Sequence, residues 1–220
     1  MTETIIITAG GKGLRMGTDI PKQFLPINGK PILLHTIAQF YEYNPAIEII
    51  LVLPESHIPY WELLIKEYQF IIPHQLVVGG ETRYHSIKNG LDSARGELIG
   101  VHDGVRPFVS LKVISNVFEK AKEKGSAIPV LPIKESIRQL DNEKSLSVDR
   151  GLYKTVQTPQ CFKSSILKEA YLGDYQPNFT DDASVVESAG YQISLVDGNE
   201  ENIKITTPFD LELAKLLFNT

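Results

Sequence analysis

Ile5-Ile6-Ile7, followed by Thr8-Ala9-Gly10-Gly11-Lys12-Gly13-Leu14-Arg15-Met16, is the stretch that decides how this 220-residue chain is read. Three β-branched apolar residues in a row make a buried strand. The strand runs straight into a glycine-rich loop. Glycine lets backbone pass close to a ligand and visit positive φ. Successive bare N–H groups in such a loop make a cradle for an anion. Arg15 lies in the loop and Lys22 seven residues further on, which adds two cations. N–H donors, a guanidinium and an ammonium together suit a polyphosphate. A plain turn is the other reading, because glycine punctuates turns everywhere.

Two well-known phosphate loops do not fit. A Walker A loop needs Gly-Lys-Ser/Thr at a set spacing, which is missing here. The dinucleotide fingerprint fits as far as Gly11-x-Gly13-x-x, but then requires Gly or Ala where Met16 stands.

Outward from this loop, composition narrows the field. The length allows one large domain or two small ones. A hydrophobic fraction of 42% is ordinary for a globular core, and the formal charge of −5 offers no basic stripe for nucleic acid. Cys161 is the single cysteine, so neither an internal disulfide nor a cysteine-cluster metal site is expected. It reads as a small core residue. Met1-Thr2-Glu3 lacks the charge of a signal n-region, and no stretch approaches ~20 apolar residues, so a cytoplasmic protein without a membrane span is expected.

Strand patterns alternate with helix patterns. Ile47 to Leu53, Gln75 to Val78, Leu98 to His102 and Ala127 to Leu131 read as strands. Pro31 to Glu42, Glu81 to Ala94, Leu111 to Lys122 and a capped segment from Thr207 to Phe218 read as helices. This alternation predicts an α/β fold with a mostly parallel sheet and helices on both faces. Ligands of such sheets bind beyond the carboxyl ends of the strands. One region breaks the pattern: Ser136 to Leu140 and Ser145 to Val148 flank the polar turn Asp141-Asn142-Glu143-Lys144. This predicts a hairpin. An isolated hairpin is only marginally stable, so a second subunit is the simplest partner for it.

Chemistry-bearing residues collect after the strands. Asp103, at a strand end and followed by Gly104, suits Mg²⁺, which takes one or two carboxylates plus substrate phosphates; a turn-forming aspartate reads the same. His102 points to the opposite strand face and reads as structural. Gly79 to Ser86 reads as a turn and an acidic helix start, and Thr180 to Ser184 as a helix N-terminus. Arg150 and the turn Gln157-Thr158-Pro159-Gln160 give no chemical reading on their own. Glu201 to Thr206 contributes Lys204.

Gly10 to Met16 (Gly-Gly-x-Gly-x-Arg-Met) with Pro21-Lys22-Gln23-Phe24-Leu25 resembles the signature of sugar-phosphate nucleotidyltransferases. Pro-Lys-Gln resembles the cytidylyltransferase branch. Val101 to Pro107, Asp149 to Tyr153, Gln157 to Gln160, Thr180 to Ser184 and Glu201 to Thr206 resemble the motifs of the 2-C-methyl-D-erythritol 4-phosphate cytidylyltransferase family. The resemblance runs from Thr8 to Thr206. It implies a Rossmann-like nucleotidyltransferase fold in a single domain over 1–220. A β-hairpin arm at about 134–150 would interlock a homodimer and reach the partner's active site. It implies transfer of CMP from CTP to methylerythritol phosphate with Mg²⁺. By residue, it implies catalytic roles for Arg15, Lys22, Arg150 and Lys204. Ala9, Gly10, Gly11, Gly13, Gly80, Arg83 and Ser86 would bind nucleotide. Asp103 would hold metal and substrate, with Arg106, Ser136 and Thr158 on the substrate. Two positions depart mildly from the pattern: Ser136 stands where threonine is frequent, and Glu201 where some members have aspartate.

Other readings keep their own marks. A ribitol-5-phosphate cytidylyltransferase shares the loop and chemistry, but tends to Val-Arg-Asn and Asp-Ala-Cys where this chain has Asp149-Arg150-Gly151 and Asp182-Ala183-Ser184. An enzyme using UTP is a weaker match. A nicotinamide-dependent oxidoreductase needs a small residue at Met16 and an acidic ribose ligand, for which Pro54-Glu55 serves only loosely. A nucleotide-binding module without catalysis predicts CTP binding without pyrophosphate release.

Overall fold

A computed structural model gives the fold. It describes residues 1–11, 20–142 and 144–218. The strand read at Ile5 to Ile7 is β1, Glu3–Thr8. A two-strand ribbon follows, β2 Pro26–Ile27 and β3 Lys30–Pro31. It leads into helix α1, Ile32–Tyr43, with Pro31 just ahead of the first turn. Next come β4 Glu48–Leu53, α2 Ile58–Glu67, β5 Gln75–Val78, α3 Arg83–Ser93 and β6 Leu98–Asp103. Then α4, Leu111–Lys124, is capped by Ser110 and closed by Gly125 at φ 97°. A glycine there tolerates the left-handed turn that ends a helix. The rest is β7 Ser126–Pro132, β8 Arg138–Asp141, β9 Lys144–Ser147, β10 Lys154–Val156, β11 Gln160–Lys163, α5 Ser164–Ala170, α6 Asp182–Ser188, β12 Leu195–Asp197 and α7 Pro208–Leu217.

The main sheet runs β10-β7-β11-β6-β1-β4-β5, with β12 parallel to β7 on its other side. β6, β1, β4 and β5 are all parallel. β11 lies antiparallel between β6 and β7, and β10 antiparallel to β7. The mostly parallel α/β fold with a protruding hairpin is therefore present. Alternating strand residues split the core in two. Ile5, Ile7, Ile49 and Leu51 pack with α1, α2 and α4. Ile6, Ile50, Ile99 and Val101 pack with α3, α5 and α6. Helices thus cover both faces. Cys161 is buried in the first cluster, as a core residue. Helix α7 starts at a reciprocal cap between Thr207 and Asp210 and joins a third cluster around Ile32 and Ile205.

The sequence patterns missed α2, whose Trp61 and Leu64 point inward while Leu63 stays exposed. They also missed β11, whose four residues are too few to show a period.

Register brings the strand ends level. Thr8 pairs with both Val52 and Asp103, and Leu53 pairs with Val78. The loops after β1, β4, β5 and β6 therefore open on one edge. The hairpin β8–β9 pairs Arg138 with Ser147 through Asp141 with Lys144, and all its described residues are exposed. Leu140 and Leu146 on it are 78% and 58% exposed. Among the described residues no helix is long and apolar enough to cross a membrane.

Candidate active site

A cleft of about 280 Å³ opens where β1, β4, β5 and β6 end. Ala9, Gly10, Gly11, Gly80, Arg83 and Ser86, all expected at a nucleotide, line it, together with Lys22. Lys22 begins a short 3-10 turn, Lys22–Phe24, and lies against Gly11, where a Cβ would come 3.3 Å from Lys22 Cε. Gln23 is buried beneath; its Nε2 donates to the Ala9 carbonyl at 2.7 Å, which ties the lysine turn to the end of β1. On the far wall, Gly79 N–H donates to the Leu53 carbonyl at 2.8 Å. Gly80 N–H donates to Ser86 Oγ at 3.1 Å, and that hydroxyl donates to the Thr82 carbonyl at 2.9 Å. A Cβ on Gly80 would come 2.5 Å from His85 Cβ, so only glycine fits this turn. Gly13 and Arg15 lie outside the described residues.

A second cleft of about 230 Å³ adjoins the first, lined by Gln157, Thr158, Gln160, Thr180 and Asp181. Arg83, Asp103 and Lys204 belong to both clefts. Arg106 lines the second.

Asp103 is the hinge of this arrangement. Its Oδ2 lies 3.1 Å from Arg106 Nε and 3.0 Å from Lys204 Nζ. Its Oδ1 stands 3.9 Å from Arg83 Nε and accepts no hydrogen bond among the described residues. Burial pushes the Asp103 carboxyl pKa up, but Arg83, Lys204 and Arg106 outweigh it and hold the group well below the usual carboxylate range. It is ionised at neutral pH. A carboxylate oxygen at a strand end that no described residue hydrogen-bonds fits Mg²⁺ that takes its remaining ligands from phosphate and water. Among the described residues no group of three or more His, Cys, Asp or Glu stands ready to hold a metal without such help.

Arg83 is gripped from behind. Its Nη1 and Nη2 donate to Asp182 Oδ1 and Oδ2 at 3.2 and 2.7 Å. Asp182 is fully buried and also accepts from the Tyr171 hydroxyl at 2.7 Å. Its neighbour Asp181 caps α6 in a reciprocal box with Ser184, as the helix-start reading of this motif expected.

His102 is buried and structural, as read. Burial pulls its pKa down to about 4, against the raising effect of the Arg106 carbonyl. It is neutral at pH 7. The Arg106 carbonyl, 3.0 Å from Nε2, can only accept, so that nitrogen carries the proton. Nδ1 then accepts from the Thr158 hydroxyl at 3.0 Å. The same hydroxyl oxygen accepts from Asp103 N–H at 3.1 Å. Thr158, expected on substrate, thus lines the second cleft with its hydroxyl engaged in fixing Asp103.

Two expected residues lie apart. Ser136 and Arg150 are exposed at the base of the hairpin and line neither cleft of their own chain; Arg150 donates to the Lys134 carbonyl. Glu201 is exposed, accepts from Asn199 Nδ2 at 3.0 Å and lines neither cleft. Sequence reading missed Asp182, Tyr171 and the pair Gln157–Asn202. Gln157 Nε2 donates to the Asn199 carbonyl at 2.9 Å, and Asn202 Nδ2 to the Thr158 carbonyl at 2.9 Å. These bonds fasten the loop that carries Lys204.

The family model of 2-C-methyl-D-erythritol 4-phosphate cytidylyltransferase matches residues 4–220. A protein of that name from Phocaeicola vulgatus is 55% identical over 218 residues, covering 99% of this chain and 100% of its own. One from Bacteroides thetaiotaomicron is 51% identical over the same shares. The crystal structure of the Thermus thermophilus protein of that name superposes with a TM-score of 0.82 at 32% identity over the whole of both chains. Similarity of this extent, over sequence and fold alike, makes this chain a member of the 2-C-methyl-D-erythritol 4-phosphate cytidylyltransferase family.

Proposed function

We propose that this protein transfers the cytidylyl group of CTP to the phosphate of 2-C-methyl-D-erythritol 4-phosphate, releasing pyrophosphate, as a cytoplasmic homodimer. The observation that carries the reading is the pair of adjoining clefts with Arg83, Asp103 and Lys204 in common. Two anionic ligands, one in each cleft, would meet at that shared wall. The first cleft has the glycine loop and suits the nucleotide. The second is polar and suits a polyol phosphate.

The substrate phosphate attacks the α-phosphorus of CTP in line. A phosphorus–oxygen bond forms to it, and the bond to the β-phosphate breaks. A phosphate monoester is already anionic at neutral pH, so no general base is required. Positioning and preorganised charge carry such a reaction. Lys22 and Arg15 would take the charge on the α-phosphate and the leaving pyrophosphate. Lys204 and Arg106 would aim the incoming phosphate. Asp103 would hold Mg²⁺ through Oδ1; the bound cation supplies neutralisation of the polyphosphate. Arg150 and Ser136, exposed beside the hairpin, would act in the partner's second cleft. The exposed Leu140 and Leu146 favour an arm that is covered in a dimer.

Pyrophosphate release from CTP and Mg²⁺ tests this, with methylerythritol phosphate and ribitol 5-phosphate side by side. Release with the first alone is expected. Release with ribitol 5-phosphate alone would overturn the substrate and keep the nucleotide chemistry. Release with neither would overturn the catalytic reading.

A further inference from the structure

Asp182 touches neither cleft, yet it is a fully buried charge with every oxygen engaged. Its two partners explain why it is aimed so firmly. Arg83 presents both terminal nitrogens to it, and Tyr171 adds a hydroxyl to Oδ1. Tyr171 is itself fixed: its ring stacks on Tyr84 at 4.6 Å, and the Tyr84 hydroxyl donates to the Tyr171 carbonyl at 3.2 Å. Tyr84 follows Arg83 directly in α3. The carboxylate and the phenol form one braced unit behind the guanidinium, which alone of the three lines the wall shared by the two clefts.

The other neighbour of Arg83 is Asp103. Its Oδ2 is taken by Arg106 and Lys204, while Oδ1 stands 3.9 Å from Arg83 Nε, beyond hydrogen-bond reach. Arginine prefers to meet a carboxylate through two parallel hydrogen bonds. Without Asp182, the nearest carboxylate for this guanidinium is Asp103, and a short swing would saturate Oδ1 as well. From this geometry we propose that Asp182, braced by Tyr171, is a positioning residue that keeps Arg83 off Asp103 Oδ1 and so keeps that oxygen open to a divalent cation. The inference rests on the cytidylyltransferase reading, because the cation is the one carried in with nucleotide.

Asp182→Asn keeps the shape and one acceptor but removes the charge that holds the guanidinium. The probe is Mn²⁺, followed by electron paramagnetic resonance on the full-length protein with CTP and no polyol phosphate. Free and bound ion are counted directly, so no turnover is needed. Expected is Mn²⁺ binding at least about tenfold weaker than in wild type, the scale seen when a partner behind a metal ligand is lost. Adding Arg83→Met to Asp182→Asn removes the group that swings, and with CTP raised until it saturates the double variant, Mn²⁺ binding should recover. Tyr171→Phe leaves the charge in place and removes one brace; it should weaken Mn²⁺ binding in the same direction, by about twofold or more, in keeping with one hydrogen bond. Thermal unfolding of each variant shows that it is folded. A folded Asp182→Asn with wild-type Mn²⁺ affinity overturns the proposal, as does a double variant that stays weak. If Asp182→Asn does not fold, Tyr171→Phe with unchanged affinity overturns it. A wild-type protein with no CTP-dependent Mn²⁺ binding would overturn the metal reading as well, which separates the two failures.

Discussion

Lys204 Nζ and Asp103 Oδ2 stand 3.0 Å apart, across the wall that the two clefts share. The lysine side chain is 42% exposed, so its ammonium can leave the carboxylate and turn to an incoming phosphate. Asp103 itself is buried, but it keeps Arg106 and Arg83 beside it when the lysine is lost, so the partly exposed lysine contributes little to stability. Lys204→Ala should therefore unfold at nearly the wild-type temperature. Turnover should fall by ~10²–10³ if the ammonium works in the transition state. Steady-state kinetics at saturating CTP checks this. Wild-type turnover would leave Lys204 as an anchor for Asp103 only.

Lys22 sits on the other side of the nucleotide cleft, against Gly11, with Gln23 tying its turn to Ala9. Lys22→Ala should also lose ~10²–10³ in turnover, because a preorganised cation on developing charge is hard to replace. Arg15→Ala should behave alike. Pyrophosphate release at saturating substrates measures both. Unchanged rates in the two variants would remove these residues from catalysis.

The first cleft was largely legible in the sequence, and the reason is local. Ile5 to Ile7 and the glycines after it are adjacent, so strand and loop announce each other. Gly79–Gly80 and Asp103 also follow apolar strands directly. The bracing behind the cleft was not legible. Arg83 and Asp182 are 99 residues apart, and each looks alone like an ordinary helix start. The His102–Thr158 bond spans 56 residues and depends on β11 being inserted between β6 and β7. Such pairs follow from topology, which short patterns do not carry.

Gly80 is a steric claim. A methyl group there would stand 2.5 Å from His85 Cβ and 2.9 Å from the His85 carbonyl carbon. Backbone cannot retreat as a side chain end can. Gly80→Ala should cost about 1–3 kcal/mol, as overpacking does, and should raise the KM for CTP more than that for the polyol phosphate. Denaturant unfolding and two-substrate kinetics read both effects. Equal KM changes would detach this turn from the nucleotide.

Arg150 tests the arm. It lines neither cleft of its own chain. Arg150→Ala should raise the KM for the polyol phosphate more than that for CTP. Mixing it with Lys22→Ala adds a sharper check. If the arm acts across a dimer, a mixed dimer keeps one intact site, and random assortment should restore roughly a quarter of wild-type activity. Recovery requires exchange between subunits, so the two chains are refolded together. If Arg150 acts in its own chain, the mixed dimer has no intact site and activity stays low.

The buried His102 ties pH to stability. Burial holds its imidazole at about 4, whereas the same group in the unfolded chain takes a proton near 6.5. Between those values the unfolded state binds the extra proton and the folded state refuses it. Stability then rises with pH across the window, is fully present above about 6.5, and is lost as pH falls toward 4. One such group is worth on the order of 3 kcal/mol over the whole window. Asp103 adds nothing there, because its carboxyl titrates below the usual carboxylate range and its contribution is lost only at lower pH. Urea unfolding at pH 7, 6 and 5 should therefore show falling stability in the wild type. His102→Gln should be less stable at pH 7 but clearly flatter between pH 7 and 5. An equal slope in both proteins would mean that another group carries the proton, and that the Thr158–His102–Arg106 chain does not hold the imidazole neutral.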